Sequence, residues 1–303
     1  MFYFGEIAAL TAALLWSIAV IIFKTLSTKI SPLLITGLKN LIALICFVIL
    51  FIILDIDFIN PKFTNTEYTK IIISGALGMG IGDILFLFAL SKIGANRIAI
   101  LNCFEPSIIL LFSMMMLQAS AYQLNLNQVV GFIVVIISIL IITYEHDKSD
   151  IDPKVKRFGL FLQITAILMS SFGIVLIKPI LNQYIHSIQD QLWITAFRLF
   201  PGVIISWIFI LCNQNLRQLF YPLYNWKTIW TIILSSGLGT FLALSCWIIG
   251  YANITKPAIA SIVGQTSVIF IFILSALVLK EKITSKRFVD ITAAILGVLL
   301  TIS

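Results

Sequence analysis

The sequence predicts an all-α integral membrane protein with ten transmembrane helices, arranged as two inverted five-helix repeats. Composition is the first indication, because 60% of the 303 residues are hydrophobic, 11% are charged and the mean hydropathy is +1.08, as in polytopic membrane proteins. The second is a series of ten apolar runs, each near the ~20 residues that cross a bilayer. The third is that the two halves overlay as weak repeats. Since each half has an odd number of spans, the second half must be inverted.

The predicted spans follow one another through short loops, and a polar loop divides them into two groups of five. We place the spans at about 3–23, 32–54, 69–90, 97–117, 128–144, 158–181, 190–211, 227–250, 258–279 and 287–302. The first repeat therefore covers residues 1–146, the connecting loop 147–157 and the second repeat 158–303. In the overlay of the halves, Lys24 falls on Lys178 and Lys39 falls on Arg198 at a slightly larger offset.

The distribution of Lys and Arg predicts the orientation of the chain. Of the 20 basic residues, 14 lie in loops that follow odd-numbered spans and four lie on the opposite side, while Lys39 and Arg198 lie within spans. By the positive-inside rule the basic loops are cytoplasmic, so both termini face the extracytoplasmic side. We therefore expect a multi-pass protein of the bacterial inner membrane.

Glu105 is the first candidate functional residue, because it lies near the middle of the apolar run 97–117. A charged side chain at membrane depth is costly, so it normally faces a bundle interior or a water-filled path and marks function. Pro106 follows directly and has no backbone N–H, which leaves the carbonyl of Asn102 without its helical partner and loosens the helix there. The pair of residues indicates a transport pathway.

Asp83 is the second candidate, and it lies at a depth similar to that of Glu105. Asp83 is about 11 residues before the turn at Gly94 and Glu105 about 11 residues after it, so each lies ~16 Å from that end of its helix. If the carboxylates face each other, one holds a proton at neutral pH and the pair can couple proton movement to transport or bind a substrate amine. The alternatives are that Glu105 alone lines the path, or that both residues are structural.

Two cations, Lys39 and Arg198, lie about seven and eight residues into their spans. Either can attract a substrate carboxylate or phosphate, or pair with an acid that changes between inward and outward states. The alternative is that they snorkel toward the headgroups or hold helices together. Among the aromatic residues, Trp16 and Trp247 are the candidates for a cavity wall, because small residues flank them. Gln265, one position short of Glu105 in the overlay, is a candidate hydrogen-bonding partner for a ligand.

Several short motifs resemble the EamA branch of the drug/metabolite transporter superfamily, and the resemblance covers nearly the whole chain. They are Trp16-Ser17 followed by Lys24, Pro32 with Lys39, Ala89, Glu105-Pro106 and LVLKEKIT at 277–284. The resemblance implies ten helices in two inverted repeats and the export or uptake of small metabolites, often amino acids. The sequence departs from the family pattern around 118–122, where a Gly-Glu pair is absent, at Lys39 in place of Arg and at Asp290 in place of Gly. These departures leave the substrate open.

The predicted function is therefore secondary transport of a small zwitterionic or amphipathic metabolite, an amino acid or a related compound, by alternating access. The alternatives are a multidrug or cation exporter and a lipid-substrate flippase. We expect no enzyme, cofactor or metal site, because His146 and His186 lie in loops and no catalytic or metal-ligand cluster can be assembled. The expected partners are the metabolite, membrane lipids and, for a coupled mechanism, protons, with no nucleic acid. The oligomeric state is left open.

Overall fold

The structure is a computed structural model that describes residues 3–117 and 152–280, together with the single residues 130, 133, 134, 137 and 292. Within these residues it is all-helical, and eight helices are long and apolar enough to cross a membrane. All eight correspond to predicted spans. The spans predicted at 128–144 and 287–302 lie outside the described residues apart from those single positions, so the count of ten stays a prediction.

The first repeat contains four described helices, α1 to α4. They are α1 (Phe4–Leu26), α2 (Pro32–Leu54), α3 (Asn65–Ile93) and α4, which consists of two halves, α4a (Ala95–Asn102) and α4b (Glu105–Met116). Pro32 begins α2 because its fixed φ and missing N–H suit the first helical turn. Thr64 and Glu67 form a capping box that begins α3. Gly94, at φ 84°, makes the tight turn between α3 and α4.

The second repeat also contains four described helices, α5 to α8. They are α5 (Pro153–Tyr184), α6 (Ile188–Leu211), α7 (Trp226–Asn253) and α8, which consists of α8a (Pro257–Gly264) and α8b (Thr266–Val278). A short helix, Leu216–Phe220, and a 3₁₀ turn, Tyr221–Tyr224, connect α6 to α7. The broken helices α4 and α8 therefore occupy the same place in their repeats.

The start of α5 corrects one predicted boundary. The span was predicted to begin at about residue 158, after a connecting loop of residues 147–157, but the helix begins at Pro153. The Asp152 side chain accepts a hydrogen bond from the Lys154 backbone N–H, and Pro153 occupies the first turn, so this segment carries a complete helix start. Hydropathy alone misses it because the first turn is charged. Residues 147–151 lie outside the described part of the chain.

The two repeats pack against each other in a crossed and symmetric manner. Helix α1 of the first repeat packs along α7 and α8b, and α5 of the second repeat packs correspondingly along α3 and α4b. Helices α2 and α6 contact each other, and each also contacts the middle of the opposite repeat's third helix. The halves of the broken helices pair across the centre, α4a with α8b and α4b with α8a. This pairing brings the two helix breaks together.

Lys24 and Lys178 occupy equivalent positions in the two repeats, as the overlay of the halves predicted. The Lys24 ammonium donates hydrogen bonds to the carbonyls of Leu90 (3.1 Å) and Ser91 (3.0 Å), at the end of α3. The Lys178 ammonium donates to the carbonyls of Tyr251 (2.5 Å) and Ile254 (2.8 Å), at the end of α7. A cation at the C-terminus of a helix is favoured by the carbonyls that have no helical partner there. Each lysine therefore ties the first helix of its repeat to the third.

Helices α3 and α7 both contain a π-helical segment at mid-length, Ala76–Gly82 and Ser236–Leu242. The glycines before and within the first segment let α3 approach α6 closely. A Cβ on Gly75 would lie 2.0 Å from the carbonyl oxygen of Arg198. Single-turn π segments are frequent at functional sites, and these two face the same central region.

Candidate functional site

Both broken helices are interrupted after their first eight residues, and the two breaks lie against each other. Helix α4 stops at Asn102 and resumes at Glu105, which places Glu105 in the first turn of α4b beside Pro106. The predicted loosening of the helix is observed as an interruption of the α-helical hydrogen bonding at Cys103 and Phe104, whose N–H groups bond to the carbonyls three residues before them. A carboxylate is favoured at a helix N-terminus by the exposed N–H groups and the helix dipole. In α8 the break falls at Gln265, whose Nε2 donates to Glu105 Oε2 at 3.4 Å.

A cavity of about 170 Å³ lies at these breaks, between the two repeats. Residues from α1 to α5, α7 and α8 line it. It brings together six of the seven predicted site residues, Trp16, Lys39, Asp83, Glu105, Trp247 and Gln265. These residues come from six different helices, so the cavity exists only when the repeats are assembled. Broken helices around a midplane cavity are typical of transporters built from repeats.

Asp83 has a different partner from the one that the sequence suggested. Its carboxylate lies 2.5 Å from the ammonium of Lys39, and the two side chains are 15% and 2% exposed. Lys39 also donates to Asn40 Oδ1 at 2.9 Å, and Asn40 in turn donates to the Met79 carbonyl, in the π segment of α3. The pair adds no net charge to the cavity. Asp83 is therefore held by a cation, and the proposed sharing of a proton with Glu105 finds no direct contact in support.

Arg198 is the predicted site residue that lies outside the cavity lining. It is buried in α6, its Nε donates to Ser74 Oγ at 3.0 Å, and its guanidinium lies 5.7 Å from the centre of the Trp247 ring. A Cβ on Gly78 would lie 3.7 Å from Arg198 Nη2. Because Gly78 and Trp247 both line the cavity, Arg198 lies directly behind the wall. Its Nη1 has no hydrogen-bond partner among the described residues.

The predicted aromatic wall is formed by Trp16 and Trp247. The Trp16 ring packs against Phe86, with ring centres 5.5 Å apart, and Trp247 packs against Tyr251 at 4.3 Å. Trp16, Phe86 and Trp247 all line the cavity. The cavity therefore combines an apolar aromatic surface with the polar groups at the helix breaks, the mixture expected of a small-molecule site.

Six polar residues of the lining were not predicted from the sequence, namely Asn102, Gln163, Ser170, Thr240, Ser261 and Ser267. Gln163 Nε2 donates to Asn102 Oδ1 at 2.7 Å, which links α5 to the break in α4. The available signal was the one used for Gln265, a polar amide within an apolar span. Thr240 and Ser261 carried a weaker signal, because hydroxyl groups inside helices commonly bond to a carbonyl of the preceding turn.

The described residues include no group of three or more His, Cys, Asp or Glu side chains that could hold a metal ion. The cavity lining combines hydrogen-bonding groups, charged groups and aromatic rings.

Comparison with known proteins agrees with this architecture. A solved crystal structure described only as a protein superposes with a TM-score of 0.67 at 12% sequence identity, covering 98% of this chain and 95% of that chain. It is one of 28 matching chains and shows the fold alone. No curated protein gives a significant sequence match. The family model described as EamA-like transporter family matches residues 3–144 and 157–303, one repeat in each half. The chain therefore belongs to the EamA-like transporter family.

Proposed function

We propose that the protein is a secondary transporter that moves a small zwitterionic or amphipathic metabolite, an amino acid or a related compound, across the bacterial inner membrane by alternating access. The observation that carries the proposal is the cavity at the two helix breaks, with Glu105 in its wall. The inverted arrangement of the repeats, 1–146 and 158–303, and the extracytoplasmic position of both termini belong to the same proposal. An inverted pair of repeats offers one site to either side in turn.

The size of the cavity favours a small substrate. An apolar cavity of about 150 Å³ accommodates a molecule of the size of benzene, and this cavity measures about 170 Å³. Sites for drug-sized ligands are typically about 300–1,000 Å³. The space between the repeats is therefore better matched to a small metabolite than to a phospholipid, which argues against the flippase alternative.

The charges of the cavity favour an amine on the substrate. Lys39 and Asp83 neutralise each other, so Glu105 is the acid without a salt-bridge partner among the described lining residues. We infer that Glu105 binds the substrate ammonium, and that it can hold a coupling proton when the site is empty. Arg198, behind Trp247, supplies positive potential for the anionic end of a zwitterion. Trp16 and Trp247 contact the apolar part.

A multidrug or cation exporter is the second candidate. The specific observation in its favour is the aromatic wall of Trp16, Phe86 and Trp247, opposite an acid. Aromatic faces attract cations, with a strength of about 2 kcal/mol when the groups are desolvated. Such an exporter would bind tetraphenylphosphonium in preference to amino acids.

A thermal-shift screen of the purified protein tests the proposal. The panel contains the common amino acids, nucleosides, choline and tetraphenylphosphonium, and each compound is measured with the native protein, Glu105→Gln and Glu67→Gln. A ligand that binds only the folded state raises the unfolding midpoint by mass action. We expect an amino acid or related amine to stabilise the native protein and Glu67→Gln but not Glu105→Gln, because Glu67 caps α3 and does not line the cavity.

Two results would contradict the proposal. Equal stabilisation of the native protein and Glu105→Gln by the same amine would remove Glu105 from the site. Stabilisation by tetraphenylphosphonium alone would replace the metabolite transporter with the cation exporter. Glu105→Gln retains the size and a hydrogen-bonding capacity of the side chain, so its own melting temperature serves as the check that the variant is folded.

A further inference from the structure

Three buried polar atoms in the cavity wall have no hydrogen-bond partner among the described residues. They are Gln163 Oε1, Gln265 Oε1 and Thr240 Oγ1. Each residue is at least nine-tenths buried, and Gln163 is only 2% exposed. Buried polar atoms in proteins are nearly always paired with protein or water, so unpaired atoms in the wall of a cavity are the ones available to a ligand.

The orientation of the Gln163 amide shows which kind of group is missing. Its Nε2 donates to Asn102 Oδ1 at 2.7 Å, so its remaining free atom is the carbonyl oxygen, which can only accept. Gln265 is oriented in the same way, because its Nε2 donates to Glu105 Oε2. The Glu105 carboxylate is itself an acceptor. Gln163 Oε1, Gln265 Oε1 and the Glu105 carboxylate therefore present three acceptor groups to a ligand that carries hydrogen-bond donors.

We propose that Gln163 is a specificity-determining residue whose carbonyl oxygen accepts a hydrogen bond from an N–H of the substrate's ammonium group, beside Glu105 and Gln265. The site therefore selects ammonium groups that carry N–H donors over quaternary ammonium groups. Asn102 is the positioning residue that fixes the Gln163 amide. This inference rests on the proposed function, since it names the chemistry of the head group that the transporter recognises. It excludes betaine-like and choline-like compounds as preferred substrates.

The feature belongs to one repeat only. In the register that superposes Lys24 on Lys178, Trp16 corresponds to Ser170, and both line the cavity. In the same register, the position of Gln163 is occupied by Ala9, whose buried side chain packs against Gly250. Ala9 shows that a small apolar side chain is enough for a purely structural role at this position. Packing alone therefore does not explain a glutamine at position 163. Gln163 adds an acceptor on one side of an otherwise symmetric cavity, which gives the substrate a defined orientation.

The test measures the affinity of matched pairs of compounds, each common amino acid and its N,N,N-trimethyl derivative, for the purified full-length protein. The two members of a pair differ in N–H donors and not in charge. We expect the native protein to prefer the primary ammonium by at least about tenfold, because a buried acceptor is left unpaired by the trimethyl compound. In Gln163→Met the preference falls about tenfold through weaker binding of the primary ammonium, with the trimethyl compound unaffected.

Three further variants separate recognition from loss of structure. Gln163→Glu retains acceptor oxygens and should retain the preference for N–H donors. Asn102→Ala frees the Gln163 amide to rotate and should reduce the preference only in part. Gln183→Met makes the same substitution on the same helix at an exposed position, and should leave both affinities unchanged.

The outcomes distinguish this inference from the proposed function. The inference is overturned if the native protein binds both members of each pair equally, or if Gln163→Met keeps the full preference. In either case the transporter proposal stands as long as Glu105→Gln still loses binding. If Glu105→Gln retains full binding of amino acids, or none of the compounds binds the native protein, the proposed function fails and the inference fails with it. A misfolded Gln163→Met variant would lose binding of both members of a pair equally. The decision then rests on Gln163→Glu, and loss of the preference in that variant would overturn the inference.

Discussion

Separating the buried ion pair between Lys39 and Asp83 should destabilise the protein strongly, while removing both charges should not. The two charged groups are 2.5 Å apart, and the side chains are 2% and 15% exposed. Removing one partner of a buried pair leaves an uncompensated charge and costs about 3–5 kcal/mol, whereas replacing both by neutral groups of similar size is often tolerated. Lys39→Met and Asp83→Asn are therefore each expected to cost about 3 kcal/mol, at the lower end of this range. The cost is reduced because the remaining charged group can become neutral by gaining or losing a proton.

The assay is a double-mutant cycle on the free energy of unfolding, measured by denaturant titration of the purified protein in detergent. The double variant Lys39→Met/Asp83→Asn should be more stable than either single variant, which requires a coupling of more than about 3 kcal/mol between the two positions. Additive losses would show that the pair does not carry the electrostatic role assigned to it. The same result would reopen the alternative in which Asp83 titrates together with Glu105.

Two further predictions concern packing, and both are measured as changes in unfolding free energy. Lys178→Met should cost about 2 kcal/mol, because two carbonyls at the end of α7 lose their donor inside the protein. Lys24→Met should cost less, because Lys24 is partly exposed and water can replace its ammonium group. Equal losses in the two variants would contradict this reasoning. Gly75→Ala should cost about 3 kcal/mol by forcing α3 away from α6. Gly237→Ala should be neutral or stabilising by up to about 1 kcal/mol, because a Cβ added at Gly237 meets nothing within 4 Å. If Gly75→Ala is neutral, the close contact between α3 and α6 can relax and the reasoning is wrong.

The spans of this protein could be read from the sequence because the bilayer sets their length. Helix α2 begins and ends where the apolar run does, at Pro32 and Leu54. Hydropathy carries no information on capping, so the charged first turn of α5 was assigned to a loop until Asp152 and Pro153 were placed in the structure. The overlay of Lys24 on Lys178 could be found because both lysines perform the same task on the same helix of their repeat.

The candidate site was predicted less completely, because hydropathy identifies a polar residue in a span but not the direction in which its side chain points. Glu105 and Gln265 were found, and their contact follows from the crossing of two broken helices. The partner of Asp83 could not be deduced, since its distance along the chain from Lys39 says nothing about the packing of α2 against α3. Arg198 was selected by its charge, yet Trp247 separates it from the cavity.

Counterflow in proteoliposomes is the most direct test of the central claim, that a small amine-bearing metabolite is carried through the cavity at Glu105. Purified protein is reconstituted with unlabelled amino acids inside the vesicles, and entry of the labelled compounds is followed for the native protein, Glu105→Gln and Glu67→Gln. We expect rapid exchange of at least one amino acid by the native protein and by Glu67→Gln, with less than about one-tenth of that rate in Glu105→Gln. Full exchange by Glu105→Gln would contradict the central claim.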